Sequence, residues 1–194
     1  MNTTPHAGEP LTYYLLDGPL TSALAAFRPS TGALVYLGLA RDKAKLRKAL
    51  ARDFAQLARR SGSAHPLRHG GDPRNAPAGV AAACEAIVAL ISGGDASPPL
   101  VPTEYLFGTP FQRRVWDAMA RIPRGETRTY GALAAEVGRP RAARAVGQAC
   151  GANQLALVVP CHRVLPVGGT PGAFRWGAAL KQQLLSAERA GKAA

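Results

Sequence analysis

The stretch DASPPLVPTEYLFG, residues 95–108, constrains this chain more than any other. Proline has no backbone N–H to give and its ring clashes with the preceding turn, so this run cannot be regular helix. It divides the 194 residues into two parts of contrasting charge. From Tyr105 to the end there are thirteen Lys/Arg and four Asp/Glu, while residues 1–104 hold eleven and eight. The boundary is therefore set near Thr103. One domain is expected over 1–103, with a loop at 61–79 and a linker at 95–103, and a second over 104–194.

Before that boundary, residues 11–40 alternate short apolar runs with the turn signals DGP and RPSTG, which predicts three short antiparallel strands. Residues 43–60 place Leu46, Leu50, Phe54, Leu57 and Ala58 on one helical stripe, with Lys and Arg as the solvated face. His65 and His69 lie four apart in the loop, but no helix aligns them and no cysteine is near, so they make a poor metal pair. Residues 80–94 predict a buried helix stopped by a double glycine, with Cys84 as a small core residue.

After the boundary, TPFQRRVWDAMARIP (109–123) opens a helix. Thr109 caps it, Pro110 sits in its first turn, and Phe111, Val115, Ala118, Met119 and Ile122 form the apolar stripe. Two short helices follow, TYGALAAEV (129–137) and RPRAARAVGQAC (139–150), separated by Gly138 in the manner of a helix-turn-helix. The second has small side chains at Ala142, Ala143, Ala145, Gly147 and Ala149. Either it approaches something bulky, with Arg144 reaching past its neighbours, or it packs on another helix while Arg144 extends to solvent.

Several classes are disfavoured. The longest apolar stretch, 80–91, is too short to span a bilayer, so no membrane association is expected. The N-terminus has neither a basic region nor an apolar core of signal-peptide type. Three cysteines without regular spacing make a poor disulfide framework and fit a reducing, cytoplasmic setting. A net charge of +12 points to a polyanionic partner, with its surface in the more basic second half. The alternative is a generic solubilising excess.

Cys161 lies in VVPCHRVLPVGG (158–169), after an apolar run and before His162 and Arg163. Both neighbours favour a thiolate, and His162 can take the proton. In extended chain adjacent side chains point to opposite faces, so a direct Cys–His bond needs a sharp turn or a bridging water. The only acid after the histidine is Glu188, in ALKQQLLSAERA (179–190), which reads as helix. The plain alternative is an inert core cysteine. Zinc is less fitting than either, since no second ligand pair stands at finger-like spacing.

PCHRV (160–164), GTPFQRRVW (108–116), RIPRGETRTYGALA (121–134), RPRAARAVGQACGAN (139–153) and GAFRWGAALKQQLL (172–185) occur in one order at set distances. Together they closely resemble the O6-alkylguanine-DNA alkyltransferases, also called methylated-DNA–protein-cysteine methyltransferases. The likeness is strong over about 105–190 and weak but compatible over 1–104, and FRWG resembles a bacterial branch. It implies an α+β protein with a ribonuclease-H-like N-terminal domain, built on a small antiparallel sheet with helices. The C-terminal domain would be a winged-helix-like helix-turn-helix.

By that resemblance Cys161 accepts the alkyl group, His162 activates it through a water, Glu188 orients His162, and Asn153 holds the turn before it. Tyr130 bonds the flipped base, the carbonyls of Cys161 and Val164 take the guanine amino group, and Phe174 with Arg175 completes the pocket. Arg144 fills the stack that the flipped nucleotide vacates, supported by Thr129, Ala142, Ala143 and Gly147 at the DNA. The implied partner is duplex DNA carrying O6-alkylguanine, and O4-alkylthymine besides. No cofactor or metal is implied, and the protein is expected to be a monomer. The product is a thioether with no easy hydrolysis route, which implies one turnover per molecule.

Phe174 replaces a tyrosine, and Arg175 a small hydroxyl residue, found in other members, which bears on alkyl-group size. The likeness also competes with three other functions. They are a lesion binder without transfer, a helix-turn-helix regulator and a Cys–His hydrolase. The first lacks the cysteine that is present here, and the others leave PCHRV with the distant Glu188 unexplained.

Overall fold

The computed structural model describes residues 8–94 and 102–192. The three expected strands are present as β1 (Leu11–Asp17), β2 (Ser22–Phe27) and β3 (Leu34–Ala40), each antiparallel to the next. A fourth strand, β4 (Leu67–His69), lies parallel to β1 at the other edge, giving the order β3-β2-β1-β4. It lies within the segment read as loop. Three residues beside Gly70 and Gly71 carry too short a pattern to register as a strand, and the sheet is mixed rather than wholly antiparallel.

Two helices cover this sheet. α1 (Lys43–Ser61) begins at Asp42, whose carboxylate accepts from the N–H groups of Ala44 and Lys45, and ends at Gly62 with φ 69°. It buries Leu46, Leu50 and Phe54 against Leu24, Ala26, Val35 and Tyr36. α2 (Ala78–Ile91) covers the opposite face, packing Val80, Ala83, Cys84, Ile87 and Ile91 against Tyr14, Leu16, Ala23, Ala25 and Phe27. Odd and even positions of β2 thus serve different helices, as strand alternation requires. The histidines at 65 and 69 do not converge. His65 meets the carbonyl of Glu9, and His69 stacks on Tyr13.

The second part contributes α3 (Pro110–Ala120), α4 (Tyr130–Glu136), α5 (Ala143–Gly151) and α6 (Ala178–Lys192). Thr109 caps α3 in a reciprocal box with Gln112. Trp116, absent from the expected stripe, is buried, and its indole donates to the carbonyl of Ala149, tying α3 to α5. α5 starts at Ala143 rather than Arg139: Pro140 disfavours helical backbone at Arg139, and residues 139–142 close a turn in which Ala142 N–H donates to the carbonyl of Arg139. Gly138, with φ 73°, makes the turn between α4 and α5. A parallel pair of short strands, β5 (Arg128–Thr129) and β6 (Val164–Leu165), closes this part.

The expected linker falls mostly on residues 95–101, which lie outside the described residues. The segments around it are not separate in packing. Leu34 of β3 donates to the carbonyl of Pro102 and accepts from Glu104, and Leu37 donates to Gln154 and accepts from Ala156. One apolar core runs from Phe27 and Ile87 through Trp116 and Met119 to Val159 and Leu184. Among the described residues, no helix is long and apolar enough to cross a membrane.

Candidate active site

Asn153 organises the approach to the thiol. Its amide nitrogen donates to the carbonyl of Val159 at 2.8 Å and to Cys161 Sγ at 3.3 Å, and its oxygen accepts from Leu155 N–H at 2.8 Å. Within this turn Leu157 holds φ 66°, a left-handed conformation that costs an L-residue about 1–2 kcal/mol. The asparagine bonds over-determine the turn and hold the strained residue in place.

Cys161, His162 and Arg163 form a single 3-10 turn. This breaks the strand alternation that would have sent Cys161 and His162 to opposite faces. Cys161 is 4% exposed, and burial pushes its thiol up to about 11, partly opposed by the Asn153 amide and the Lys181 ammonium. The resting group is therefore a thiol that needs a base. His162 Nε2 lies 2.8 Å from Glu188 Oε1, while Nδ1 is buried and makes no hydrogen bond within the protein. Burial lowers the pKa of His162, against the pull of Glu188, so the ring is neutral at physiological pH. An ionised carboxylate only accepts, which puts the proton on Nε2 and a lone pair on Nδ1.

Glu188 is held ionised. Burial alone would raise its pKa, but His162 and Arg163 bring it well below the ordinary carboxylate value. Arg163 donates twice to it, at 2.9 and 2.8 Å, and Gly125 N–H donates at 3.2 Å. This corrects the expectation that Arg163 favours the thiolate. Its remaining guanidinium nitrogen meets the carbonyl of Ile122, and the side chain serves the carboxylate. The cations that bear on the thiol are Lys181, fully buried with Nζ 2.8 Å from the carbonyl of Val164, and, more weakly, Arg175. The sequence showed Lys181 only as a charged position on a helix, with no signal that it turns inward.

Cys161 opens onto a cleft of about 510 Å³, lined also by Tyr130, Arg144, Gly147, Cys150, Phe174 and Arg175. Tyr130 starts α4, and Thr129 caps that helix by accepting from Ala132 N–H. Ala142 and Ala143 begin α5, Arg144 is exposed at the cleft wall, and a Cβ on Gly147 would lie 3.9 Å from the Tyr130 ring. Phe174 sets its ring edge-on to His162 and Trp176. The structure thus brings Cys161, His162, Glu188, Asn153, Tyr130, Val164, Phe174, Arg175, Arg144 and Gly147 to one region. Thr129, Ala142 and Ala143 form its helix ends. Cys150 is a cleft residue for which the sequence carried no signal. Among the described residues, no three His, Cys, Asp or Glu side chains cluster as a metal would require.

A shielded thiol, a hydrogen-bonded histidine–carboxylate pair and a helix-turn-helix wall around one cleft are the parts of a protein that performs thiol chemistry on a ligand presented to that helix pair. The sequence model of the 6-O-methylguanine DNA methyltransferase DNA-binding domain matches residues 110–190. A methylated-DNA–protein-cysteine methyltransferase of Saccharomyces cerevisiae is 34% identical over 184 residues, 93% of this chain and 94% of the relative. That of Lodderomyces elongisporus is 37% identical over 189 residues, 92% of each chain. A crystal structure of Mycobacterium tuberculosis OGT in complex with DNA is 30% identical, covers 92% of this chain and 93% of that one, and superposes with a TM-score of 0.70. The chain belongs to the methylated-DNA–protein-cysteine methyltransferase family.

Proposed function

We propose that this chain repairs alkylated DNA by moving the alkyl group from O6 of guanine to Sγ of its own Cys161. The observation that carries the reading is the unused, buried Nδ1 of His162, whose other nitrogen is bonded to Glu188 at 2.8 Å. It is a poised base beside a thiol that needs one. A water takes the thiol proton to Nδ1, and Glu188 stabilises the imidazolium that forms. The thiolate attacks the alkyl carbon as the carbon–oxygen bond breaks, and the electron pair passes to O6 and the guanine ring. Tyr130, at a ring nitrogen, stabilises the departing base. The product is a thioether with no route back, so each molecule acts once, without cofactor or metal.

The lesion is unreachable by a thiol inside a duplex, so the nucleotide is extruded and Arg144 fills its place. The small residues Ala142, Ala143 and Gly147 let α5 approach the minor groove closely. O4-alkylthymine fits the same chemistry. Residues 1–103 form the N-terminal domain and 104–194 the DNA-binding and alkyl-acceptor domain of a cytoplasmic monomer.

The test is peptide mapping by mass spectrometry after mixing excess protein with a duplex holding one O6-methylguanine. The expected result is one methyl on Cys161, in amount equal to guanine restored. Tight binding with no methylated cysteine would overturn the reading in favour of a lesion binder.

A further inference from the structure

The reaction cleft leaves one strongly charged feature unused. α1 carries Lys43, Lys45, Arg47, Lys48, Arg52, Arg59 and Arg60 against one acid, Asp53, which is buried. Its first turn has lysines and no acid, against the positive end of the helix dipole. Lys48 and Arg52 stand four apart as like charges, which also opposes the helix. Apart from Lys43, which bonds to Asp17, these placements do not favour α1, and they suit a partner that supplies negative charge.

At about 3.6 residues per turn and 1.5 Å rise, Lys45, Lys48, Arg52 and Arg59 fall on one stripe roughly 21 Å long. All four are exposed, while Leu46, Leu50 and Phe54 turn inward. Arg52 bonds to Asp53; Lys45, Lys48 and Arg59 have no acidic partner among the described residues. Another face of the same helix reaches toward the cleft. Arg175 lines the cleft and also a groove of about 390 Å³ whose other wall includes Gln56 and Arg60 of α1. Its guanidinium bonds to Asp53 on the same helix. On the helix circumference Gln56 and Arg60 stand between that groove and the stripe.

We propose that the stripe Lys45–Lys48–Arg52–Arg59 binds the phosphate backbone of duplex DNA, extending the contact of the helix-turn-helix. This rests on the reading of the cleft as the site for a base from DNA. A duplex carries one negative charge per about 1.7 Å of axis, so the stripe faces several phosphates, and the contact is independent of sequence.

The test removes three charges, K45Q/K48Q/R59Q, and keeps Arg52 because it holds Asp53. Binding to a long undamaged duplex is measured across a range of salt, with reaction of free O6-benzylguanine as the readout of an intact site. The slope of log K against log salt should become shallower by about 0.9 for each phosphate the variant no longer neutralises. Affinity at low salt should fall at least ~10-fold, while the free-base rate stays unchanged. The charge-keeping variant K45R/K48R/R59K should retain the wild-type slope. An unchanged slope in the neutral variant, or an equal loss in the charge-keeping one, would overturn the proposal. Arg144→Ala separates the two readings. If it weakens duplex binding and the neutral stripe does not, only the stripe fails; if the wild type shows no salt-dependent duplex binding, the reading of the cleft fails.

Discussion

Two buried carboxylates, each held by arginine, sit at opposite sides of the reactive loop and do different work. Asp53 on α1 accepts from Tyr36 at 3.2 Å and from Arg52 and Arg175. Glu188 on α6 accepts from Arg163, Gly125 and His162. Both are 5% exposed, so burial does not distinguish them. The difference lies in what each partner can pass on. The donors to Asp53 end there: two arginines that cannot lose a proton, the amide of Gln154, and a phenol that burial pushes up and out of reach. One donor to Glu188 is an imidazole with a second, unused nitrogen beside a thiol. The first carboxylate is a tie between α1 and the loop at Arg175; the second holds an imidazole whose other nitrogen is open.

The sharpest way to break this comparison is to remove the end that only the second site has. Cys161→Ser should abolish alkyl transfer, because a buried hydroxyl has no accessible anion, while DNA binding persists. Peptide mapping and a gel shift read the two separately, and retained transfer would refute the acceptor assignment. Next in size is Glu188→Gln. It keeps the shape but loses the charge that stabilises the imidazolium, so the rate with free O6-benzylguanine should fall by about 10²–10⁴-fold. Stopped-flow measurement of an unchanged rate would take Glu188 out of the relay.

The pH dependence carries the same contrast. Because the folded pKa of Glu188 is depressed, its contribution to stability is complete above its ordinary value of 4.5 and is lost as pH falls below it. Because that of His162 is lowered as well, protonating the ring favours the unfolded chain once pH drops below 6.5. Thermal melts of Glu188→Gln should therefore lose less stability than wild type as pH falls below 4.5, where only the wild type has this carboxylate to protonate. Parallel curves would mean that Glu188 carries no such linkage.

How far the sequence disclosed these sites depends on the range of the interactions. Helices α1 and α3 were legible because their stripes, and the Thr109 cap of α3, are local patterns; the caps Asp42 and Gly62 of α1 were not read. β4 was not, being three residues that become a strand only beside β1. Cys161, His162 and Glu188 were legible through the spacing of family motifs, although the 3-10 turn that reconciles the two neighbours was not. Arg163 was assigned to the wrong partner, since adjacency in sequence suggested the thiol and the fold gave it the carboxylate 25 residues away. Lys181 and Trp116 turned inward without a sequence signal. Asp53 and Arg175 are separated by 122 residues, and nothing in either neighbourhood announces the other.

That last pair gives the smallest expected effect on chemistry and the best control on the comparison. Asp53→Asn removes the charge that Arg175 and Arg52 share but leaves an amide in place. Arg52 is 67% exposed and Arg175 21%, so solvent compensates both, and the loss of stability should be about 1–3 kcal/mol rather than that of a fully buried pair. Urea denaturation measures it. The rate with free O6-benzylguanine should change by less than about threefold, because no proton passes through Asp53. The loop at Arg175 lines the cleft, so a loosened tie should first appear as weaker retention of substrate, a higher KM-like midpoint at unchanged maximal rate. A fall in the maximal rate as large as that of Glu188→Gln would show instead that both carboxylates act on the thiol, and the division drawn between them would fail.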